Sequence, residues 1–129
     1  MADRAQVEAF LRHAYAVRQR ENLDEIVELF EPGAYLGVLG VEESPPAADH
    51  CRPAMSGILD TFQLLDHSIK NIVVDGDKAA VHWHGKFRAK ATNKVGETDL
   101  VDIFELKNGR IAWMKTFFDT AMTARLTGQ

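Results

Sequence analysis

Residues 99–119, DLVDIFELKNGRIAWMKTFFD, leave few choices of structure. Two runs rich in strand formers flank Asn108-Gly109, and both central residues of a type I′ hairpin turn need positive φ, which Asn and Gly tolerate best. A two-residue turn fixes a register. With Lys107 opposite Arg110, the pairs that follow are Leu106 with Ile111, Phe104 with Trp113, Asp102 with Lys115 and Leu100 with Phe117. Side chains alternate across a strand, so all eight share one face. That face sets a carboxylate against an ammonium among large apolar side chains.

The remaining sequence supplies helices to cover it. Asp3 with Gln6 is a capping box ahead of Val7, Phe10, Leu11, Ala14 and Val17, which predicts a helix over 4–21. Asn22 with Glu25 repeats the cap, and Ile26, Val27, Leu29 and Phe30 give a short second helix that Pro32-Gly33 ends. Residues 34–41 read as a short strand and 42–49, with Pro45-Pro46, as a loop. Pro53 suits the first turn of a third helix carrying Met55, Ile58, Leu59, Phe62 and Leu65. Strands follow over 67–74 and 79–91, joined at Asp75-Gly76; a loop at 92–95 leads into the Asp99 strand, and 122–126 form a last helical turn. To place apolar on apolar, the third and fourth strands pair with Phe87 opposite Leu100, Gly85 opposite Asp102, Arg88 opposite Asp99 and His82 opposite Glu105. The order predicts an α+β fold, a curved antiparallel sheet wrapped around three N-terminal helices, the right number to close the open side of a cone.

At 129 residues the chain is read as a single domain spanning 1–129. A net charge of -4, with Arg18, Arg20, Lys86, Arg88, Lys90 and Lys94 dispersed among acids, argues against a nucleic-acid partner. The N-terminus MADRAQVEAF has no apolar h-region, and no run of about 18 apolar residues occurs, so a cytoplasmic protein with no membrane partner is expected. The single Cys51 leaves no internal disulfide and reads as packing.

The element order, with LDEIVELF, VVDGDKAAVHW and VDIFELKNGRIAWMKTFFD, resembles the nuclear transport factor two-like superfamily and, within it, the SnoaL-like group, over nearly the whole chain. The resemblance implies a cystatin-like cone whose concave face and helices enclose a pocket and whose convex face forms a dimer interface. The superfamily includes ketosteroid isomerases, polyketide cyclases, dehydratases, epoxide hydrolases and non-catalytic members, and fold alone does not choose among them. Asp102 matches the position where ketosteroid isomerases hold a protonated acid that hydrogen-bonds a developing oxyanion. Tyr15 or Ala14 falls at their oxyanion tyrosine, and their general base falls near Val38, which cannot take a proton. The arginine of limonene-type epoxide hydrolases falls at Leu100, and the histidine of dehydratase relatives near His67.

From the residues alone, Asp102 is the strongest candidate. A buried carboxylate needs either Lys115 as counter-charge or a raised pKa, so it is a structural ion pair or a hydrogen-bond donor to a ligand oxygen. Lys115 is a base, a Schiff-base nucleophile or a snorkelling cation. Trp83, Phe87, Leu100, Phe104, Trp113 and Phe117 form either core or the wall of a pocket for a flat apolar ligand, and Asp119 ends their face at the pocket mouth or in solvent. His67 falls opposite His84, on the face of His82 and Glu105 and away from Asp102, unless a bulge returns it to the pocket as a base. Those imidazoles form a metal donor set in principle, but Lys86 and Arg88 on the same face oppose a cation; no metal is expected. The sequence has no Gly-rich phosphate cradle or dinucleotide fingerprint, and no cofactor is expected. Val101, Ile103, Met114 and Phe118 make an apolar stripe on the uncovered face, which predicts a homodimer. His13 and His50 are expected at the surface and Tyr35 in the core. The expected function is a pocket for a small apolar, oxygen-bearing molecule, with cofactor-free isomerase, cyclase or dehydratase chemistry if catalytic, or else a non-catalytic binding dimer.

Overall fold

The computed structural model describes residues 3–38 and 51–128. Helix α1 (Arg4–Arg20) starts at the capping box: the Asp3 carboxylate accepts from the Gln6 amide at 2.8 Å, and the Asp3 amide donates to the Gln6 side chain at 3.2 Å. Val7, Leu11, Ala14, Tyr15 and Val17 form its buried stripe. Glu21 takes a left-handed conformation and ends it, and Asn22 caps α2 (Leu23–Val27). Pro32-Gly33 do not terminate that helix. They lie inside β1 (Phe30–Val38), where Gly33 adopts φ 77° and pairing is interrupted between Phe30 and Tyr35. The expected strand end at 39–41, the loop at 42–49 and His50 lie outside the described residues.

Helix α3 (Cys51–Thr61) passes directly into β2 (Phe62–Asp75). Phe62 and Leu65 therefore belong to the strand rather than to the helix stripe. Strands β3 (Lys78–Ala89), β4 (Val95–Lys107) and β5 (Arg110–Phe117) follow, then helix α4 (Thr120–Thr127). The sheet order is β1-β5-β4-β3-β2. Strands β2 to β5 form an antiparallel meander, while β1 joins the β5 edge in parallel. The result is a curved, open sheet with helices on one face. Leu11, Tyr15, Ile26, Leu36, Met55, Val81 and Phe104 meet in the core between the layers. No helix among the described residues is long and apolar enough to cross a membrane.

Bulges decide which side chains face the helices. The β4–β5 turn forms as expected, with Asn108 at φ 53° and Gly109 at φ 74°, and Lys107 pairs with Arg110 and Leu106 with Ile111. The next pair is Glu105 with Trp113, so Ala112 is an extra residue. Every later β5 side chain changes face. Asp102 lies opposite Thr116, and Lys115 lies opposite Ile103 on the outer face. The β2–β3 turn lies at Gly76-Asp77 rather than Asp75-Gly76, with Asp75 opposite Lys78, and a second bulge between Ile69 and Asn71 turns His67 to the other face; together they set His67 opposite Gly85, not His84. Between β3 and β4 the expected faces hold but the partners slip by four residues along β3. Val81, rather than Gly85, lies opposite Asp102, and Trp83, rather than Phe87, opposite Leu100; Asp99 faces His84 instead of Arg88, and Glu105 faces Lys78 instead of His82.

Candidate functional site

Asp102 is placed by β4 on the covered face and is 1% exposed. Two donors converge on its Oδ2. The Tyr15 hydroxyl from α1 donates to it at 2.6 Å, and the Trp83 indole N–H from β3 donates at 2.9 Å. Oδ1 is fully buried and has no hydrogen-bond partner among the described residues. Burial pushes the Asp102 carboxyl above the usual carboxylate range; the Thr116 hydroxyl, Tyr15, Trp83 and the Arg18 charge pull it the other way and lose. Tyr15 is pushed well above the usual phenol range by burial and by the Asp102 charge, so it stays a donor.

This tyrosine, tryptophan and aspartate sit on the wall of a cavity of about 770 Å³, within the range that holds an organic ligand. Phe87, Leu100, Phe104, Ile111, Met114 and Phe118 line its sheet side, while Met55, Ile58 and Met122 come from the helices. Arg18 also reaches the wall, one helical turn beyond Tyr15.

Of the residues singled out from sequence, Tyr15, Trp83, Phe87, Leu100, Asp102 and Phe104 therefore meet at the cavity. Lys115, Trp113 and Phe117 do not. The Ala112 bulge turns all three outward, where Trp113 stacks on Tyr35 with centroids 5.7 Å apart and the Lys115 ammonium lies 5.2 Å from the Phe117 ring centre. Tyr35 is half-buried on that outer face, not in the core. The predicted Asp102–Lys115 pair does not form. Asp119 is exposed to solvent and outside the cavity lining, and it caps α4 by accepting from the Met122 amide at 3.0 Å. His67 is turned towards α1 by its bulge, where its Nδ1 meets the Gln19 side-chain oxygen and its ring lies 6.3 Å from that of Tyr15. It is half-buried and outside the cavity lining.

The outer-face stripe changes accordingly. Met114 and Phe118 line the cavity, and Trp113, Lys115 and Phe117 replace them beside Val101 and Ile103. His82 and His84 on that face are held by carboxylates: Asp99 bonds both imidazoles, and Glu97 bonds the second ring nitrogen of His84. Among the described residues no group of three or more His, Cys, Asp or Glu is placed to hold a metal ion. Cys51 is buried, and burial pushes its thiol up to about 12, as suits packing.

A sequence profile of the SnoaL-like domain matches residues 7–114. The chain belongs to the SnoaL-like family. Among curated proteins none matches the sequence. Solved structures match across the fold. A candidate SnoaL-like polyketide cyclase from Jannaschia is 17% identical, with 100% of this chain and 99% of that one covered at a TM-score of 0.79. An NTF2-like protein from Burkholderia pseudomallei is 16% identical, covering 100% of both chains at 0.78. A protein with a ketosteroid isomerase-like fold from Catenulispora acidiphila, solved with trimethylamine, is 9% identical over 90% of both chains at 0.74. At these identities the likeness is one of fold.

The SnoaL-like cavity has two features that sequence reasoning missed. Helix α4 contributes Thr120, Met122, Thr123, Ala124 and Thr127 to the wall. Arg18 is the other. Its signal was present, since Val7, Leu11, Ala14 and Arg18 fall at helical spacing on one stripe, and a charged residue on an apolar stripe needs a reason to be there.

Gly85 bears on the same constellation. A Cβ at this position would lie 2.7 Å from the Phe87 ring and 2.8 Å from the Trp83 ring. Both rings are packed on the cavity wall and can move only by opening that wall. Gly85→Ala is expected to cost about 1–3 kcal/mol and to swing the indole N–H off Asp102. Urea unfolding of the two proteins measures the first effect, and the red-edge shift of tryptophan fluorescence the second; an unchanged midpoint would mean that the rings yield freely.

Proposed function

We propose that the cavity binds a small, largely apolar, oxygen-bearing molecule and polarises its oxygen by a hydrogen bond from neutral Asp102. One observation carries this reading: Oδ2 accepts from both Tyr15 and Trp83, while Oδ1 forms no hydrogen bond among the described residues and Asp102, with Thr116 opposite it, belongs to the lining of an apolar cavity. An indole N–H can only donate, so the proton of a neutral Asp102 belongs on Oδ1. There it makes the carboxyl a donor, which a carbonyl or enolate oxygen reaches as the side chains that now close off Oδ1 give way to the ligand. Tyr15 and Trp83 then act as positioning residues, because their hydrogen atoms are spent on Asp102. The family and the neighbouring polyketide cyclase and ketosteroid isomerase-like names support a carbonyl-bearing ligand of this kind.

Recognition and polarisation are the parts of an acid–base mechanism that these side chains supply. Proton abstraction needs a second titratable group within about 3 Å or one water of the reacting atom. The described lining residues offer only Tyr15, Arg18 and Asp102 as ionisable groups. We therefore favour a binding and polarising pocket over a complete acid–base pair in the described residues. The outer stripe of Val101, Ile103, Trp113 and Phe117 supports a second copy of the chain as partner, which light scattering at micromolar concentration would refute by giving a monomer mass.

The test is thermal unfolding with 2-acetylnaphthalene and related flat ketones, on wild type, Asp102→Asn and Asp102→Leu. At a hundredfold above its dissociation constant a ligand adds about 2.7 kcal/mol, a rise of roughly 10 °C for a domain of this size. Asparagine turns its carbonyl to Tyr15 and Trp83 and its N–H to the cavity, so Asp102→Asn keeps most of the shift. Asp102→Leu loses it. Equal shifts in all three proteins would remove Asp102 from the binding interaction.

A further inference from the structure

We infer that Arg18 is an anion-recognition group in this cavity, so that the ligand is an apolar organic anion with its charged oxygen at Arg18 and a neutral oxygen at Asp102. The inference deepens the proposed function and rests on it for the placement of the second oxygen. Arg18 lines the cavity with its side chain only 14% exposed. Its Nη1 is fully buried and forms no hydrogen bond among the described residues. Glu21 is its counter-charge at 3.8 Å, which is beyond hydrogen-bond range, and the same Glu21 oxygen accepts from the Leu64 amide at 3.3 Å. A nearly buried guanidinium is thus left with an unmet donor and a shared, distant carboxylate, and an anion in the cavity reaches Nη1 as the side chains closing it off give way.

A buried charge is expensive unless paired and hydrogen-bonded, and an unsatisfied buried donor calls for a partner. Asp102 does not meet the need, since a neutral carboxyl carries no balancing charge and its Oδ2 is occupied. Tyr15 does not meet it either, having its hydroxyl on Asp102. The surrounding wall is built of Leu29, Ile58, Leu100 and Phe104, so a bare inorganic anion would leave most of the cavity unfilled. A carboxylate on an apolar ring system satisfies both the wall and the guanidinium, whose N–H fork suits a planar carboxylate. Anion binding also reinforces the neutral state of Asp102, because negative charge near a carboxyl opposes its ionisation.

The test compares three flat probes by calorimetry at pH 7.5: 6-acetyl-2-naphthoate, its methyl ester and 2-acetylnaphthalene. In wild type the acid should bind at least about tenfold tighter than the ester, the scale of one charge-assisted hydrogen bond. Arg18→Met should bring acid and ester within about twofold, and Arg18→Lys should restore part of the preference. Glu21→Gln, which removes the competing carboxylate, should strengthen the acid and leave the ester unchanged. The wild-type ratio needs no variant and so stands even if Arg18→Met fails to fold. Equal binding of acid and ester to wild type overturns the role of Arg18, and if 2-acetylnaphthalene still binds through Asp102 the proposed function survives. If the neutral ketone does not bind wild type, the Asp102 reading falls while the acid-to-ester ratio still reports on Arg18. Failure of all three probes overturns both.

Discussion

Deleting Ala112 should abolish the cooperative fold. This residue is the extra one in β5, and without it the β4–β5 ladder returns to the register that the Asn108-Gly109 turn dictates. Phe104 would then face Trp113, and Asp102 would face Lys115. Met114, Thr116 and Phe118 would leave the covered side, and an ammonium with two bulky rings would enter it. The turn cannot absorb the loss, because Asn108 and Gly109 both hold positive φ and define its two central positions. Nor can β1 follow easily, since Leu36 and Val38 pair with Met114 and Thr116 on the cavity side. Burying a mismatched charge and emptying several core positions together cost more than about 5 kcal/mol, which is comparable to the whole stability of a small domain. The deletion protein should show no sharp urea transition and no near-ultraviolet circular dichroism. Ala112→Gly keeps the residue count and should stay within about 1 kcal/mol of wild type. A deletion protein unfolding at the wild-type midpoint would show that the bulge does not set the face of β5.

The elements themselves were legible in the sequence because local chemistry announces them. Asp3 with Gln6, Asn22, and Asn108-Gly109 each mark a boundary through hydrogen bonds or φ values that their side chains favour. Strand parity was legible too, since Trp83, Phe87, Leu100 and Phe104 must share the covered side. What alternation does not encode is the position of a bulge. Ala112 and Lys70 have no side-chain signature for one, so Lys115, Trp113 and Phe117 were expected inside and His67 outside. A hint was present in Lys115 itself, because strict alternation placed an ammonium among large apolar side chains, and one added residue upstream removes that cost. Partner identity between β3 and β4 was equally hidden, as a slip of four residues preserves every face. The parallel pairing of β1 with β5 depends on a long connection rather than on either strand's own residues. Of the site, Asp102 stood out as a carboxyl on an apolar face, whereas the Tyr15 and Trp83 bonds that orient it span 87 and 19 residues of sequence and arise only in the fold.

The pH dependence of stability should separate wild type from Asp102→Asn by a steep, one-directional difference. The Asp102 carboxyl is raised in the folded protein by burial, while in the unfolded chain it titrates near the usual value of about 4. Below the unfolded value both states are protonated and the contribution of Asp102 is fully present. Between the unfolded and the raised folded value, unfolding releases a proton, so stability falls as pH rises. The slope is about 1.4 kcal/mol per pH unit for one proton. Above the folded value the carboxylate is ionised in both states and the loss is complete. Asparagine presents the same shape and the same acceptor to Tyr15 and Trp83 but cannot ionise. Subtracting the two unfolding free energies at each pH cancels the titration of distant groups such as Asp99, which is lowered by His84 and His82. The difference should therefore be flat in acid, move in favour of Asp102→Asn as pH rises above about 4, and level off once the folded carboxyl has titrated. The plateau marks the pH at which Asp102 stops being a hydrogen-bond donor, so ketone binding to wild type should weaken over the same interval while binding to Asp102→Asn stays level. A difference curve with the opposite sign would mean that Tyr15, Trp83, Thr116 and Arg18 hold Asp102 ionised, and the cavity would then present an acceptor where a donor is proposed.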